Sequence, residues 1–469
     1  MPPPPLPSTL PRAPAGNRRV RLSGSLLTLG GLVLLAALLH LGMARLQGPF
    51  AAPVERPLSG DEKRYVEVAN AWAAGEPAEL DPLWPPGYPA AVALVLRCGG
   101  KLSWMIGLQI AALLVAGVVL GRIAFELGAS RGVSALAAAL LVIDPEVAGF
   151  AWLYRPEALH LALFLLALLL VLRASRAAEE RARLVPLILL GLVLGAALAL
   201  KSLLLPFLPL LLLPVLRAPG WTQRLVRSGL VALPLLVVLA PVAVFQHATS
   251  GSWTVGGSAR FNLWVGLTDR SSRSLAEDRT WEEYLRYRTS GASFAERQTA
   301  LGRQLRDLVQ ARGLPAVMAA QFPRQYFRLF DRESYFSAAL PPLGRRYLAG
   351  EGYRAAPPRL ARLFALGEVV LYVAILCCAP FGLIRLVRER RPGASMIAAL
   401  LAGQLLLFWF VHVKARYRLT LLPLLLLGVA WTVETVRRRR AEGLPIPAAD
   451  LALGAAGAGL LLYFAFGAG

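Results

Sequence analysis

Residues 157–201 read EALHLALFLLALLLVLRASRAAEERARLVPLILLGLVLGAALALK and contain two long apolar runs. The first run covers 157–173 and the second covers 184–200, and each approaches the length of about 20 residues that a helix needs to cross a bilayer. The connection between the runs carries four arginines: Arg173, Arg176, Arg181 and Arg183. Because Lys and Arg accumulate in short cytoplasmic loops, the stretch predicts a transmembrane helical hairpin whose turn faces the cytoplasm.

The composition of the whole chain indicates a membrane protein too. Of 469 residues, 56% are hydrophobic and 17% are charged, whereas soluble proteins average about 45–50% apolar and about 25% charged residues. The 50 Lys and Arg against 28 Asp and Glu give a net charge of +22, but the long apolar blocks exclude a disordered or a nucleic-acid-binding basic protein. The 3 Cys and 4 His lack the spacing of a zinc site or a disulfide scaffold.

The same length criterion predicts an all-α polytopic membrane protein with about 11 transmembrane helices. The predicted spans are 23–44, 102–125, 132–152, 157–173, 184–200, 202–216, 228–247, 363–386, 394–413, 418–436 and 449–467. The block 184–216 is interrupted by Lys201 and Pro206.

Arginines cluster on alternate connections between these spans, so all of the clusters can be cytoplasmic at once. Besides the hairpin turn above, the clusters are Arg18, Arg19 and Arg21; Arg122 and Arg131; Arg217, Arg224 and Arg227; Arg385, Arg388, Arg390 and Arg391; and Arg437 to Arg440. The positive net charge is therefore mainly a topological signal.

The predicted topology divides the chain into four parts. They are a Pro-rich disordered cytoplasmic tail at 1–22, a transmembrane module at 23–247 that includes the outer loop 47–101, an extracytoplasmic segment at 248–362 with a small domain, and C-terminal transmembrane helices at 363–469. In the third part, Ser293 and Glu296 predict a capping box that opens a helix closed by Gly313. The next helix, with Phe322 and Arg324 in an alternating aromatic and basic pattern, is expected to lie on the membrane surface.

Several charged residues lie at or near the outer ends of the predicted spans, where charge is costly and usually functional. They are Asp61, Glu62, Arg64, Asp144, Glu146, Arg155, Glu157, Lys201, Lys414, Arg416 and Arg418. Their concentration on one side of the membrane predicts a polar cavity that opens outward. Three cations in residues 414–418 oppose the positive-inside rule, and an anionic ligand is the simplest explanation for them.

The first outer loop contains SGDEKRYVEVANAWAAG at 59–75. On a helix, Asp61, Arg64 and Tyr65 share one face. A carboxylate beside a cation suits a general base next to a bound phosphate, but a helix cap with a local ion pair is an equal reading of the pattern. Similar alternatives hold for Glu157, which favours the positive end of a helix dipole, and for Lys201, which either extends toward the interface or binds an anion.

Four motifs together resemble the GT-C class of lipid-linked-sugar glycosyltransferases, in particular the protein O-mannosyltransferase and lipid A aminoarabinose transferase superfamily. They are the D-E-x-x-Y…A…G loop (Asp61, Glu62, Tyr65, Ala69, Gly75), the PPGYP turn at 85–89, the R-P-E helix start at 155–157, and R-Y-R…P (Arg416, Tyr417, Arg418, Pro423). NLWVGL at 262–267 is also similar to an outer-loop motif of that family. The resemblance covers residues 25 to 436.

The resemblance implies a GT-C-like fold and a sugar donor linked to a polyprenyl monophosphate. Asp61 would then act as the base or orient the acceptor hydroxyl, with inversion at the anomeric carbon, and Glu62 and Glu157 would be further acidic residues of the catalytic module. The donor phosphate would contact Arg64, Lys201 and Arg416. The substrate cavity would include Tyr65, Tyr88, Arg155 and Tyr417. The chain departs from the family's Lys-Pro-Pro, since Trp84 precedes Pro85 and Pro86, and Lys201 or Arg416 would have to replace that lysine.

The implied partners are a polyprenyl-phosphate sugar, membrane lipids, and an acceptor that is a glycolipid, a protein or a polysaccharide, with no nucleic acid. The implied location is the bacterial inner membrane, with the active site on the extracytoplasmic side. No cofactor is required, although a divalent metal held by Asp61 and Glu157 is an alternative, because oxygen ligands suit magnesium or manganese. A lipid-linked saccharide transporter or flippase, and a noncatalytic scaffold, are the competing interpretations.

Overall fold

The computed structural model describes residues 60–218, 220–268, 280–290, 293–332 and 358–467, together with residue 58 and some positions of 31–40. Within these ranges every regular element is a helix, so the all-α class is confirmed for the described part of the chain. The predicted tail and most of the first predicted span lie outside the described residues.

The helices are numbered in chain order within the described ranges. They are α1 Gly60–Ala74, α2 Gly87–Arg97, α3 Leu102–Glu126, α4 Arg131–Ile143, α5 Pro145–Ala151, α6 Glu157–Arg176, α7 Glu180–Leu200, α8 Leu208–Leu216, α9 Trp221–Ser250, α10 Ser258–Thr268, α11 Thr280–Thr289, α12 Phe294–Arg312, α13 Leu314–Leu329, α14 Pro358–Arg388, α15 Ala394–Phe410, α16 Leu422–Ala441 and α17 Ala448–Phe466. Two 3-10 helices, Ser202–Phe207 and Ala415–Thr420, precede α8 and α16.

Six of these helices are long and apolar enough to cross a membrane: α3, α6, α7, α9, α17 and the part of α14 from Ala365 to Arg388. The pair α4 and α5 passes the same criterion together but bends by 57°. The bend follows from the sequence, because Asp144 lies between them and caps α5 by accepting a hydrogen bond from the Val147 N–H. These helices indicate an integral membrane protein.

The described residues contain fewer candidate spans than the sequence predicted. Residues 202–216 form a 3-10 helix followed by the 9-residue α8, and α15 has 17 residues. Helix α16 is long, but Glu434 and four consecutive arginines occupy its last two turns. The described residues therefore hold six or seven candidate spans, against about 11 predicted for the whole chain. Pro206 and Pro214 interrupt the run 202–216, and charged residues shorten the apolar part of α16.

Helix α6 is the central helix of the bundle. In its most apolar window 72% of the residues are buried, against 17% in the peripheral α9. It packs between α3 and α7, and α7 in turn packs against α9. A second group of helices, α14, α16 and α17, packs closely as well, and here glycines set the spacing: a Cβ on Gly382 of α14 would overlap the carbonyl oxygen of Gly428 of α16.

The helix ends separate into two groups on opposite sides of the bundle. Helix α6 runs from Glu157 to Arg176, and α7 returns from Glu180 to Leu200. At the Arg176 end, that arginine donates to the Pro392 carbonyl over 2.8 Å and pairs with Glu126 over 3.2 Å. We call this side the basic end, defined by Arg176, Arg227, Arg391 and Arg438, and the opposite side, with Glu157 and Lys201, the site end.

The described part of the segment predicted to be extracytoplasmic forms helices α10 to α13. The capping box of Ser293 and Glu296 is confirmed, and α12 ends at Gly313, whose φ is +76°. Helix α13 differs from the prediction, because Phe327 and Phe330 are buried in a cluster with residues of α15 and α17. The aromatic residues of α13 therefore pack on other helices, and the pattern of alternating aromatic and basic residues does not distinguish this packing from contact with lipid.

Candidate functional site

A cavity of about 520 Å³ opens at the site end of the bundle. Elements that are distant in the chain contribute its charged and polar side chains: α1, the first turn of α6, the break after α7, and the 3-10 helix before α16. Six of the ten predicted site residues line it: Asp61, Tyr65, Glu157, Lys201, Arg416 and Tyr417. The structure therefore brings into one space four of the five chain segments in which the sequence analysis found charges at the outer ends of spans; the segment with Asp144 and Glu146 does not line the cavity.

Local structure explains why each of these side chains is at a helix end. Asp61 is in the first turn of α1, which begins at Gly60 with a φ of +53°. Glu157 is the first residue of α6 and follows Pro156, an arrangement in which a carboxylate favours the positive end of the helix dipole. Lys201 ends α7 in an extended conformation, with φ −159° and ψ 120°.

Arg416 links the two carboxylates of the cavity. Its Nη1 lies 2.5 Å from Asp61 Oδ2 and 3.8 Å from Glu157 Oε1. Lys201 Nζ approaches the same Glu157 oxygen at 3.3 Å. Both cations also lie over the ring of Tyr417, at 5.2 Å for the Lys201 nitrogen and 5.8 Å for the Arg416 guanidinium carbon, a contact that holds them in place.

The electrostatic surroundings keep Asp61 ionised. Burial by itself would raise the pKa of this carboxyl, but the positive charges of Arg416 and Arg155 outweigh burial and hold the pKa well below its usual range. The opposite holds for Tyr65, because burial and then the negative charges of Asp61 and Glu157 raise the pKa of its hydroxyl. At neutral pH the cavity thus contains a carboxylate acceptor beside a protonated phenol.

One oxygen of the cavity is left without a partner. Glu157 Oε2 is buried and accepts no hydrogen bond from the described residues, whereas its other oxygen, Oε1, is within reach of Lys201 and Arg416. A buried acceptor of this kind costs free energy unless a ligand or water donates to it. Glu157 Oε2 is therefore an acceptor for which the described residues supply no donor.

The other four predicted site residues do not line the cavity. Glu62 is 1% exposed and accepts from the Tyr154 N–H at 2.8 Å. Tyr88 donates its hydroxyl proton to Gln109 Oε1 at 2.7 Å, and Arg64 donates to the Glu79 carbonyl at 2.8 Å. Arg155 is buried behind the cavity wall, and it acts on Asp61 through its charge.

These contacts hold the elements that carry the cavity residues. Glu62 joins α1 to the turn before α6, one residue along from Asp61. Gln109 of α3 was not among the predicted site residues. It donates to the carbonyls of Ala151 and Leu153 at 2.8 Å and accepts a hydrogen bond from the Tyr88 hydroxyl. The sequence signal for this role is a single glutamine in an otherwise apolar helix, because a buried side-chain amide needs hydrogen-bond partners.

The wall of the cavity next to the extracytoplasmic segment is aromatic. Tyr284 donates its hydroxyl proton to Asp81 Oδ2 over 2.9 Å, and its ring lies 5.2 Å from that of Trp84. Burial, followed by the charge of Asp81, raises the pKa of Tyr284. Trp84, which precedes the PPGYP turn, stood out in the sequence, but the contact between Asp81 and Tyr284 joins residues 203 positions apart and leaves no local signal.

The wall on the membrane side is apolar. Leu203, Leu205, Pro206 and Leu407 line it, and Leu205 is 49% exposed. The break after α7 therefore gives the cavity one charged side and one side that suits an aliphatic chain.

Arg418 and Lys414, the neighbours of Arg416, have different positions. Arg418 is buried and pairs with Glu146, donates to the Asp331 carbonyl at 2.6 Å and lies over the Tyr372 ring. Lys414 lines the cavity and contributes to lowering the pKa of Asp61. The three cations that oppose the positive-inside rule thus divide between the cavity and a buried ion pair.

A divalent metal does not fit this donor set. In the described part of the chain no three His, Cys, Asp or Glu side chains converge. Asp61 and Glu157 are instead bridged by Arg416, which already supplies the compensating positive charge. We derive no step through a metal.

No protein-family model matches the chain, and no curated protein sequence matches it either.

Proposed function

We propose that this protein is an integral membrane glycosyltransferase that moves a sugar from a polyprenyl-monophosphate donor to an acceptor hydroxyl on the extracytoplasmic side of a bacterial inner membrane. One observation carries the proposal: Asp61, ionised and paired with Arg416, shares a cavity with Lys201 and Glu157. A base and two cations facing one space suit a displacement in which a phosphate leaves. The resemblance of the motifs to GT-C glycosyltransferases supports the same assignment.

In the proposed reaction the acceptor oxygen forms a bond to the anomeric carbon and its proton passes to Asp61. The bond from that carbon to the phosphate oxygen breaks, and its electron pair leaves with polyprenyl phosphate. Because the attack and the departure are on opposite faces, the configuration inverts. Arg416 and Lys201 would stabilise the charge that develops on the leaving phosphate.

The pairing of Asp61 with Arg416 connects donor binding to the base. The guanidinium that lowers the pKa of Asp61 is also a donor suited to a phosphate. When the donor phosphate takes over part of this guanidinium contact, the pKa of Asp61 rises and the carboxylate becomes a stronger base. The free protein would therefore hold a weak base that gains strength once the donor is bound.

The remaining walls suit the rest of such substrates. The apolar side at Leu205 and Pro206 would hold the polyprenyl chain, and Glu157 Oε2 would accept a hydrogen bond from a sugar hydroxyl. The rings of Trp84 and Tyr284 offer flat faces for a sugar or an acceptor. In this arrangement Lys201 and Arg416 would replace the positive charge of the lysine that the GT-C motif has where this chain has Trp84.

The experiment is turnover by the purified full-length protein with a panel of polyprenyl-phosphate sugars, with release of polyprenyl phosphate as the readout. We expect release from at least one donor, and a loss of about 10²-fold or more for Asp61→Asn, the range typical of removing a general base. Glu67→Gln is the matched control, since Glu67 lies on the same helix, is exposed and pairs with Lys63.

Two results would contradict the proposal. Equal turnover by the Asp61→Asn and Glu67→Gln variants would remove Asp61 from the chemistry. Binding of a lipid-linked sugar and its movement across liposome membranes, with no release of polyprenyl phosphate, would support the transporter or flippase interpretation instead.

A further inference from the structure

A second pocket, of about 320 Å³, lies at the basic end, on the side of the bundle opposite the cavity. The last turns of α14 and α16 and the segment that follows each of them form it. The residues that line it are Arg385, Glu389, Arg391, Thr435, Arg438, Arg439, Glu442 and Leu444. Nothing in the proposed reaction uses this pocket.

The pocket carries more positive charge than its carboxylates neutralise. Glu389 alone contacts three guanidinium groups, at 3.0 Å for Arg385, 3.3 Å for Arg391 and 2.9 Å for Arg438. Arg439 also lines the pocket, and its contact in the structure is a 3.3 Å hydrogen bond to the Pro445 carbonyl. Two further carboxylates reach the same arginines, since Asp450 pairs with Arg385 at 2.7 Å and Glu434 pairs with Arg438 at 3.6 Å. Arg388 and Arg437 share these two carboxylates. The whole cluster therefore has six arginines against four carboxylates, an excess of two positive charges that an anion would offset.

A buried threonine is also among the residues that line this pocket. Thr435 is 2% exposed, and its Oγ1 makes no hydrogen bond with the described residues. A hydroxyl in this state donates to any acceptor that reaches it. Together with planar guanidinium groups, which bind phosphate oxygens in pairs, it forms the donor set that a phosphate group requires.

The surroundings of the pocket indicate what carries the phosphate. Leu444 lines the pocket and is 49% exposed, and close by in the chain Leu451 of α17 is 48% exposed. Val387, in the last turn of α14, is also exposed at 41%. A charged pocket at the end of apolar helices, with exposed leucines beside it, matches the boundary between lipid headgroups and acyl chains.

We propose that this pocket binds the phosphate of an anionic phospholipid, with the guanidinium groups of Arg391, Arg438 and Arg439 and the hydroxyl of Thr435 as donors and Leu444 and Leu451 against the acyl chains. The site is at the end opposite the cavity, so it neither requires nor tests the glycosyltransferase assignment. Its role would be to anchor the ends of α14, α16 and α17 at the membrane surface.

The test is lipid binding by the purified full-length protein, followed by native mass spectrometry and by the shift in Tm, with phosphatidylglycerol and with phosphatidylcholine as probes. We expect retention of phosphatidylglycerol and a rise in Tm with this lipid only. Removal of one pocket charge in Arg439→Gln should weaken the binding about fivefold, and Thr435→Val should weaken it without a change in charge. Arg440→Gln is the matched control, because it removes the same charge from an exposed neighbour that does not line the pocket.

Equal retention by the Arg439→Gln and Arg440→Gln variants would overturn the proposal, and so would equal binding of the two lipids. Binding of inorganic phosphate distinguishes a lipid headgroup from a soluble phosphate as the ligand of the pocket. If it binds tightly and depends on Arg439 and Thr435 while phosphatidylglycerol does not bind, the pocket takes a soluble phosphate and the lipid assignment is wrong. Arg439→Gln changes a partly exposed side chain, and Thr435→Val replaces a small side chain by one of similar size. We therefore expect both variants to give size-exclusion profiles like that of the wild type.

Discussion

Arg416 Nη1 lies 2.5 Å from Asp61 and 3.8 Å from Glu157, so at the scale of single residues one guanidinium sets the ionisation of the cavity. Asp61 would be protonated more readily without it, because burial then acts against fewer positive charges. The same guanidinium is a phosphate donor in the proposed mechanism. Its two tasks can be separated by the pH dependence of the reaction.

We predict that Arg416→Gln moves the acidic limb of the profile of kcat/KM against pH to higher pH. The sign follows from the charges: loss of the guanidinium raises the pKa of Asp61, the ionised fraction at a given acidic pH falls, and the base is lost earlier on acidification. The wild-type profile should show no limb from Asp61 above about pH 4, the ordinary pKa of an aspartate.

Lys63→Gln is the control for this measurement. It removes one positive charge from the same helix, but its side chain is exposed and pairs with Glu67. Coincident acidic limbs for the wild type and Arg416→Gln, with activity high enough to measure, would show that Arg416 does not govern the base.

At the scale of helices, adjacent residues in one turn have different tasks. Asp61 lines the cavity, whereas Glu62 accepts from the Tyr154 N–H and attaches α1 to the turn before α6. Arg416 lines the cavity, whereas Arg418 is buried against Glu146. The site therefore depends on helices being held at fixed rotations, and close helix packing elsewhere in the bundle supplies that rigidity.

The close contact between α14 and α16 is a place where the tightness of helix packing can be tested by a substitution. We predict that Gly382→Ala destabilises the protein by about 1–3 kcal/mol or more, since its Cβ would overlap the Gly428 carbonyl and the helices would have to move apart. The measurement is the Tm of the purified protein in detergent. Because α14 ends in the second pocket, retention of phosphatidylglycerol should fall in the same variant.

Gly367→Ala is the matched control, because Gly367 lies on the same helix and a Cβ there meets nothing within 4 Å. It should leave the Tm unchanged or raise it slightly, as alanine favours a helix by up to about 1 kcal/mol over glycine. A Tm for Gly382→Ala equal to that of Gly367→Ala would mean that the crossing is looser than the structure shows.

At the scale of the molecule, the two ends of the bundle differ in charge and in use. The cavity with Asp61 and Glu157 lies at one end, and the arginine-rich connections lie at the other with the second pocket. Positive-inside topology assigns the arginine-rich end to the cytoplasm. The proposed substrates would then meet the protein on the opposite side.

This orientation can be measured with thiol reagents that do not cross membranes. Cys98, at the end of α2, is exposed and lies on the side of the cavity, so in intact cells it should be labelled when the other cysteines are replaced. A cysteine at exposed position 440 (Arg440→Cys) in a cysteine-free protein should be labelled only after the cells are permeabilised. The reverse pattern would place the cavity in the cytoplasm and would contradict the proposed location of the donor.

Much of the architecture follows from local features of the sequence. The lengths of the apolar runs predicted an all-α membrane protein, and alternate arginine clusters predicted two distinct ends. The capping box at Ser293 and the helix start at Glu157 depend on residues within one turn of each other, which is why they are readable. The exact number of spans is not readable in this way, because a short, broken helix such as Ser202–Leu216 is as apolar as the six helices that are long enough to cross a membrane.

The composition and order of the residues were enough to place this chain in a membrane, and to identify Asp61, Glu157, Lys201 and Arg416 as charges that need a reason to be there. The sequence did not determine which of those charged side chains contact one another. Asp61 and Arg416 are 355 positions apart. A helix turns about 100° per residue, so the rotation of α1 about its axis decides whether Asp61 or its neighbour Glu62 lines the cavity. Contacts of this range are selected by the packing of whole helices, a property of the folded bundle and not of any single segment.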